Sequence, residues 1–190
     1  MATRRAPTQT WFAKNNKVYI GRYPDVSFGA STTLSGSFVS SGIEISAAQK
    51  SITVTPPETP FEKSDFCGID TNNFQNQLLE EKPIGMPTIT ASLIVGEDET
   101  FEDYLMSGCS ASAPTGYSRY QIGNNDTQNS RLTICAVMAN SDGSKYVAYG
   151  LQDARLSKYG DVRVTGADSH LEQDVTFVGL AKGWYFEFKN

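Results

Sequence analysis

Residues 131–156, RLTICAVMANSDGSKYVAYGLQDARL, read as two β-strands folded back on each other. Leu132, Ile134, Ala136 and Met138 alternate with the residues between them, the period of two that a strand imposes. Ser141-Asp142-Gly143, within the connection from Asn140 to Ser144, supplies the turn. The same alternation recurs on both sides of this hairpin. In KVYIGRYPDVSFG, Val18 and Ile20 share one face and Tyr19 takes the other; Ile43 and Ile45 share a face, as do Ile52 and Val54 before Pro56-Pro57 ends that run. TITASLIVG turns Ile89, Ala91, Leu93 and Val95 one way, and the end of the chain gives three short strands, DVRVTG, VTFVGL and WYFEFK, split by glycine-containing turns. The Ser/Gly/Thr-rich bridge GASTTLSGSFVSSG lies between strands and is expected to hold a short edge strand or a loop.

One stretch breaks the pattern. Thr100 with Asp103 three residues on resembles a capping box, Phe101, Tyr104 and Leu105 form an i, i+3, i+4 apolar stripe, and Gly108 sits where a left-handed cap ends a helix. A single helix over TFEDYLMS is therefore expected in a mainly β chain. Residues 57–87 show no convincing periodicity. Loops beyond about 12–15 residues are uncommon in compact domains and are usually functional or disordered. This one contains Phe61, Phe66, Phe74, Leu78 and Leu79, which a purely solvated loop would avoid, so it is expected to dock on another surface. Residues 1–16 read as a flexible or docking arm carrying Arg4 and Arg5 and the pair Trp11 and Phe12, leaving residues 17–190 as a single β-rich domain.

Composition excludes several function classes. With 39% hydrophobic and 19% charged residues, the chain has an ordinary globular balance. A net charge of −5 is the wrong sign for gripping phosphates. The start, MATRRAPTQTWF, lacks the apolar segment of a secretory signal, and no stretch approaches the ~20 apolar residues of a spanning helix. Cys67, Cys109 and Cys135 are odd in number and lack CxxC spacing, so free thiols in a reducing cytoplasm are expected, with one disulfide as the alternative. The sequon at Asn125 means nothing if the chain is never secreted.

Catalytic parts are few. Glu97, Asp98, Glu99, Glu102 and Asp103 lack the oxygen spacing of a calcium loop, and acids at a helix start favour the dipole without any ligand. His170, the one histidine, follows Asp168-Ser169, but residues adjacent in extended chain point apart and there is no nucleophile elbow. Catalytic zinc needs more histidines or a cysteine cluster, and no phosphate-binding glycine motif occurs. No catalytic, cofactor-binding or metal-binding residue is assigned. Period two places Trp184, Phe186 and Phe188 on one face; a buried strand is expected there, with a carbohydrate platform as the alternative.

Three segments, in order, carry a resemblance. ITVTPPETPFEKSDFCGIDTNNFQNQLLEEKPIGMPTITASLIV is similar to a strand, a long loop ending in an "NQ…EEKP" run and a returning strand in the tail tube proteins of long-tailed phages and archaeal viruses. DETFEDYLMSG stands where those proteins place their one helix, and ADSHLEQDVTFVGLAKGWYFEF resembles their closing strands. The likeness covers most of residues 40–189; residues 110–130 and the arm match nothing in it. It implies a β-sandwich or half-open barrel flanked by one helix, six copies of which close a ring whose inner strands form a continuous barrel. Stacked rings would make a viral tail tube, a conduit for genome delivery, and the type VI secretion tube shares the fold.

The same resemblance implies inter-subunit contacts through Phe61, Phe66, Phe74, Leu78, Leu79, Trp11 and Phe12. Implied partners are further copies of the chain, a tape measure protein, and terminator or baseplate proteins, with no cofactor and no membrane. Double-stranded DNA would pass without specific binding, because wall carboxylates repel phosphates. The implied location is the virion tail, after synthesis in the host cytoplasm. The alternatives are a sugar- or receptor-binding β-sandwich, a capsid decoration or tail terminator protein, and a hydrolase using His170 and the acids of residues 97–103.

Overall fold

Ten strands account for most of the described chain. The computed structural model describes residues 16–46, 49–58, 61–65, 77–81, 85–94, 105–106, 111–119, 131–140, 142–164 and 171–189. They are β1 (Lys17–Arg22), β2 (Gly42–Glu44), β3 (Gln49–Thr55), β4 (Phe61–Asp65), β5 (Gln77–Glu81), β6 (Thr88–Ile94), β7 (Arg131–Ala139), β8 (Tyr146–Val164), β9 (Leu171–Val178) and β10 (Trp184–Lys189). Among the described residues, eight strands form one antiparallel sheet in the order β2-β1-β7-β8-β9-β6-β3, with β10 also on β8, and β4 and β5 pair as a separate ribbon. The mainly β expectation holds.

The long strand β8 organises the sheet. Its first part, from Tyr146 to Leu151, lies between β7 and β10, while Arg155 to Val164 pairs with β9. β9 and β10 therefore follow one another along the same edge of β8. Between them the chain leaves the ladder through Gly179, Leu180 and a 3-10 turn at Ala181–Gly183. Opposite this break β8 is itself irregular: Asp153 has φ 55°, a left-handed conformation rare outside glycine, asparagine and aspartate. The register also shifts between Leu156 and Lys158 and between Tyr159 and Val162. DVRV, expected as a strand of its own, is the end of β8, because bulges let one strand continue past an interruption that sequence periodicity registers as a boundary.

Two cores lie on opposite faces of the β1-β7 region. The first joins Val18 and Ile20 of β1, Leu132 and Ile134 of β7, and Leu151 and Ala154 of β8 to Ile89, Ala91 and Leu93 of β6 and Val175 and Phe177 of β9. Leu105 and Met106 are buried in it. Of the expected helix only Leu105, which is helical, and Met106, which lies in a turn, are described; its other positions lie outside the described residues. The second core sets Val26, Phe28, Leu34 and Phe38 against Cys135, Val137 and Ala148. Burial of a large apolar side chain stabilises by roughly 1.5–3 kcal/mol, so both faces of β7 contribute. This is why residues 132–137 are buried without interruption although their side chains alternate.

The second core explains the Ser/Gly/Thr-rich bridge. Of the two expected forms it takes the loop, a cover whose 3-10 turn, Ser35–Phe38, inserts Phe38 beside Tyr19 and Phe28 before Gly42 opens the edge strand β2. Gly150 makes room: a Cβ there would lie 2.6 Å from the Phe28 ring. The hairpin between β7 and β8 closes as its residues dictate, with Asn140 donating its N–H to the Lys145 carbonyl (3.0 Å) and Gly143 at φ 74°. The excursion at 57–87, expected as a loop, contains the β4–β5 ribbon, with Lys63 paired to Leu79 and Ser64 to Leu78. It departs from and returns to neighbouring strands, since β3 pairs with β6 and the Gly85 N–H donates to the Glu58 carbonyl at 2.8 Å.

Candidate assembly surfaces

The face of the first core continues beyond its cover. Cross-strand register defines rows running from β1 to β10, because directly opposed residues in a sheet point to the same side. Ile20, Ile134, Leu151 and Trp184 form the first row, inside the core. Val18, Ala136, Tyr149 and Phe186 form the second, and Met138, Val147 and Phe188 the third. Exposure in the second and third rows is greatest at β10, 59% at Phe186 and 48% at Phe188. Tyr149 holds the strip together, its ring 5.3 Å from Phe186 and 5.9 Å from Trp184.

Here the structure corrects the sequence. The period-two face of Trp184, Phe186 and Phe188 was expected to be buried, yet only Trp184 packs against the core, and β10 lies at a margin of the sheet. The intervening residues are the ones turned inward. Tyr185 packs edge-on against Phe28 at 5.0 Å. Glu187 accepts the Leu34 N–H (3.0 Å) and the Tyr146 O–H (2.5 Å), tying β10 and β8 to the cover. Because the hydroxyl's proton serves that carboxylate, the Tyr146 phenol is pushed up to about 12. Period two pointed to the aromatic face as the buried one, and the cover on the opposite face reverses that assignment.

The cover is anchored elsewhere along β7 and β8 as well. Phe28 donates its N–H to Gln152 Oε1 (2.8 Å), Thr133 Oγ1 donates to the Val26 carbonyl (2.7 Å), and the Tyr23 N–H donates to the Arg131 carbonyl (2.8 Å). Arg131 forms a two-point pair with Asp153 at 2.5 and 2.6 Å, which holds the Asp153 carboxyl below its usual range, and lies 4.4 Å from the Tyr23 ring centre. Burial pushes the free Cys135 thiol far up, so it is a core residue and not a nucleophile.

Of the residues expected at contacts between copies, Phe61 lies on β4 and Leu78 and Leu79 on β5. Phe66, Phe74, Trp11 and Phe12 lie outside the described residues, as do Cys67, Cys109, His170 and the acids of residues 97–103. Among the described residues no group of histidine, cysteine, aspartate and glutamate is placed to hold a metal ion, and no helix is long and apolar enough to cross a membrane. Sequence reasoning missed Tyr149 as the third member of the aromatic strip. Its register opposite Phe186 would have been the signal, but register between distant segments is not written in either one alone.

No family model and no curated protein matches the sequence. The fold, however, is similar to chains of solved tube assemblies. One belongs to the anti-feeding prophage tube-terminating cap, with a TM-score of 0.53 over 98% of this chain and 93% of that one at 10% identity. Another belongs to the sheath-tube complex of the PVC extracellular contractile injection system in its extended state, with a TM-score of 0.53, 11% identity and coverage of 92% and 87%. A third, from the sheath/tube terminator of that system, matches over the full length of both chains, 100% of each, at a TM-score of 0.51 and 10% identity. At such identities the likeness is one of fold.

Proposed function

We propose that this chain is a structural subunit of a tail-like tube, or of the terminator that ends one, assembled from copies of itself and performing no catalytic step. The observation that carries this reading is the margin of the sheet at β10, where Phe186 and Phe188 are 59% and 48% exposed beside a strand whose only described partner is β8. An open strand edge with an apolar face invites another strand, and pairing it across subunits removes that liability. A ring requires one patch to meet a different patch, and β3 at the far end of the sheet order offers a second edge. The likeness to tube, terminator and baseplate chains supports the same class of role.

In finer terms, six copies close a ring and rings stack. Phe61, Phe66, Phe74, Leu78 and Leu79 of the excursion, and Trp11 and Phe12 of the arm, contact neighbouring copies. Tape measure, terminator or baseplate proteins adjoin the tube, and double-stranded DNA passes through an acidic lumen without specific binding in a virion tail. The terminator form draws equal support, since two of the similar chains belong to a tube-terminating cap and a sheath/tube terminator.

Electron microscopy of the purified protein beside its light-scattering mass tests this. Stacked tubes support the tube subunit and isolated rings the terminator. A monodisperse monomer at every concentration overturns both and favours a sugar- or receptor-binding module built on the same exposed aromatics. In that case Trp184 fluorescence shifts on a glycan panel.

A further inference from the structure

We infer that two copies of the unassembled chain pair through β10, antiparallel and about a two-fold axis, with Phe186 of one copy directly opposite Phe186 of the other. A strand edge is a template for another strand, and soluble proteins blunt their edges with short strands, bulges, prolines and charges. Among the described residues, each outer strand except β10 carries such a device. β2 has three residues. β3 opens on a register shift between Gln49 and Ser51, contains Lys50 and runs into Pro56-Pro57. The part of β8 that outruns β7 has two register shifts and carries Lys158, Asp161 and Arg163. The ribbon has charged residues on both strands, Glu62, Lys63 and Asp65 on β4 and Glu80 and Glu81 on β5.

β10 differs from all of these. Its six residues keep one unbroken register on β8, with no proline and no bulge. Its two charges alternate away from the aromatic strip: Glu187 serves the Leu34 N–H and the Tyr146 O–H, and Lys189 lies 5.9 Å from the Tyr146 ring centre. The one edge in this chain that matches an unblunted β10 is therefore β10 of a second copy. A two-fold contact needs a single self-complementary patch, and it is the commonest symmetry of soluble oligomers.

Charge selects the register. Two antiparallel registers overlap β10 most while keeping both strips on one side, centred on Phe186 or on Glu187. The second sets Glu187 against Glu187, and like charges directly opposite are destabilising. The first sets Phe186 against Phe186, Trp184 against Phe188 and Tyr185 against Glu187, so aromatic residues meet along the strip and no like charges face each other. A ring requires β10 to meet a different edge, so this dimer must part before a ring closes. That consequence alone rests on the assembly reading; the dimer does not.

The test places a thiol on the axis. In Cys67→Ser/Cys109→Ser, with Cys135 buried, Phe186→Cys supplies the accessible thiol. Directly opposed residues lie about 4.5–5.5 Å apart between Cα atoms, within the range a disulfide spans. Phe188→Cys in the same background is four residues, ~13 Å of strand, out of register with its counterpart. The unassembled parent is expected at twice the mass of one chain by light scattering. Mild oxidation should trap Phe186→Cys as a covalent dimer several-fold faster than Phe188→Cys. Phe186→Lys/Phe188→Lys should be monomeric with unchanged circular dichroism. A parent that is monomeric at every concentration overturns the inference, as do equal trapping of the two cysteine variants and a dimer that survives the two lysines. Rings or tubes with no dimer in the unassembled fraction overturn it and leave the assembly reading standing. Dimers that never form rings or tubes support it and remove that reading.

Discussion

Glu187 is the residue on which the outer cover turns. Its two carboxylate oxygens serve different elements, the Leu34 N–H in the cover and the Tyr146 O–H on β8. Glu187→Ala leaves that N–H without an acceptor, and we expect a loss of about 1–3 kcal/mol, read by urea unfolding. Tyr146 adds a pH signature. Its folded phenol is raised from 10.0 to about 12, so the stability it contributes is complete below pH 10 and is lost as pH rises through about 12. Tyr19, raised chiefly by burial, adds to the same alkaline decline. Unfolding curves across this window should therefore show a shallower decline in Tyr146→Phe than in the parent, and an unchanged slope would mean the Glu187 contact does not hold in solution. Gly150 is the matching steric test. A methyl group there meets the Phe28 ring at 2.6 Å, so Gly150→Ala should destabilise by about 1–3 kcal/mol, the usual result of overpacking, and Phe28→Leu should relieve part of it.

Among elements, the β4–β5 ribbon is separable from the sheet that carries it. Glu58 and Gly85 are joined by a backbone hydrogen bond, and β3 and β6 pair directly beyond it. Replacing residues 59–84 with a short Gly-Ser turn should leave the circular dichroism and unfolding midpoint of the monomer close to the parent's. Under the assembly reading the product forms no rings or tubes, as judged by negative-stain microscopy; tubes of normal length would remove the ribbon from the contact. The same elements mark how far the sequence could be read. Strands whose faces differ sharply were legible: Val18 and Ile20 against Tyr19, and Ile89, Ala91 and Leu93, lie as their alternation requires. The ribbon was not, because PFEKSD and QNQLLEE lack alternation and are held by each other's backbone. The 19 residues of β8 were cut into pieces because Asp153 and two bulges interrupt the periodicity while the hydrogen-bond ladder resumes beyond them. The aromatic strip was misassigned for a related reason: the partial burial of Tyr185 and Glu187 depends on a cover contributed from residues 23–41, far away in the chain.

For the whole molecule, the decisive property is a sheet with an exposed apolar margin among the described residues. A fold that buried its apolar residues for its own sake would not leave Phe186 and Phe188 at 59% and 48% exposure on a terminal strand while a cover of more than a dozen residues protects the opposite face. That asymmetry makes β10 the place to test the assembly reading. Phe186→Lys with Phe188→Lys places two charges on the strip without disturbing the inward pair Tyr185 and Glu187. Substitutions at exposed positions usually change stability by no more than about 0.5 kcal/mol, so the monomer should unfold near the parent's midpoint. Charged side chains on an edge strand oppose pairing with another chain, so under the assembly reading the light-scattering mass should fall to the monomer value at concentrations where the parent assembles. High salt should restore part of it, because screening shortens the range of the added charges to about 3 Å at molar ionic strength. Rings that form as readily in the variant as in the parent would move the contact away from β10, toward β3 and the ribbon at the other end of the sheet.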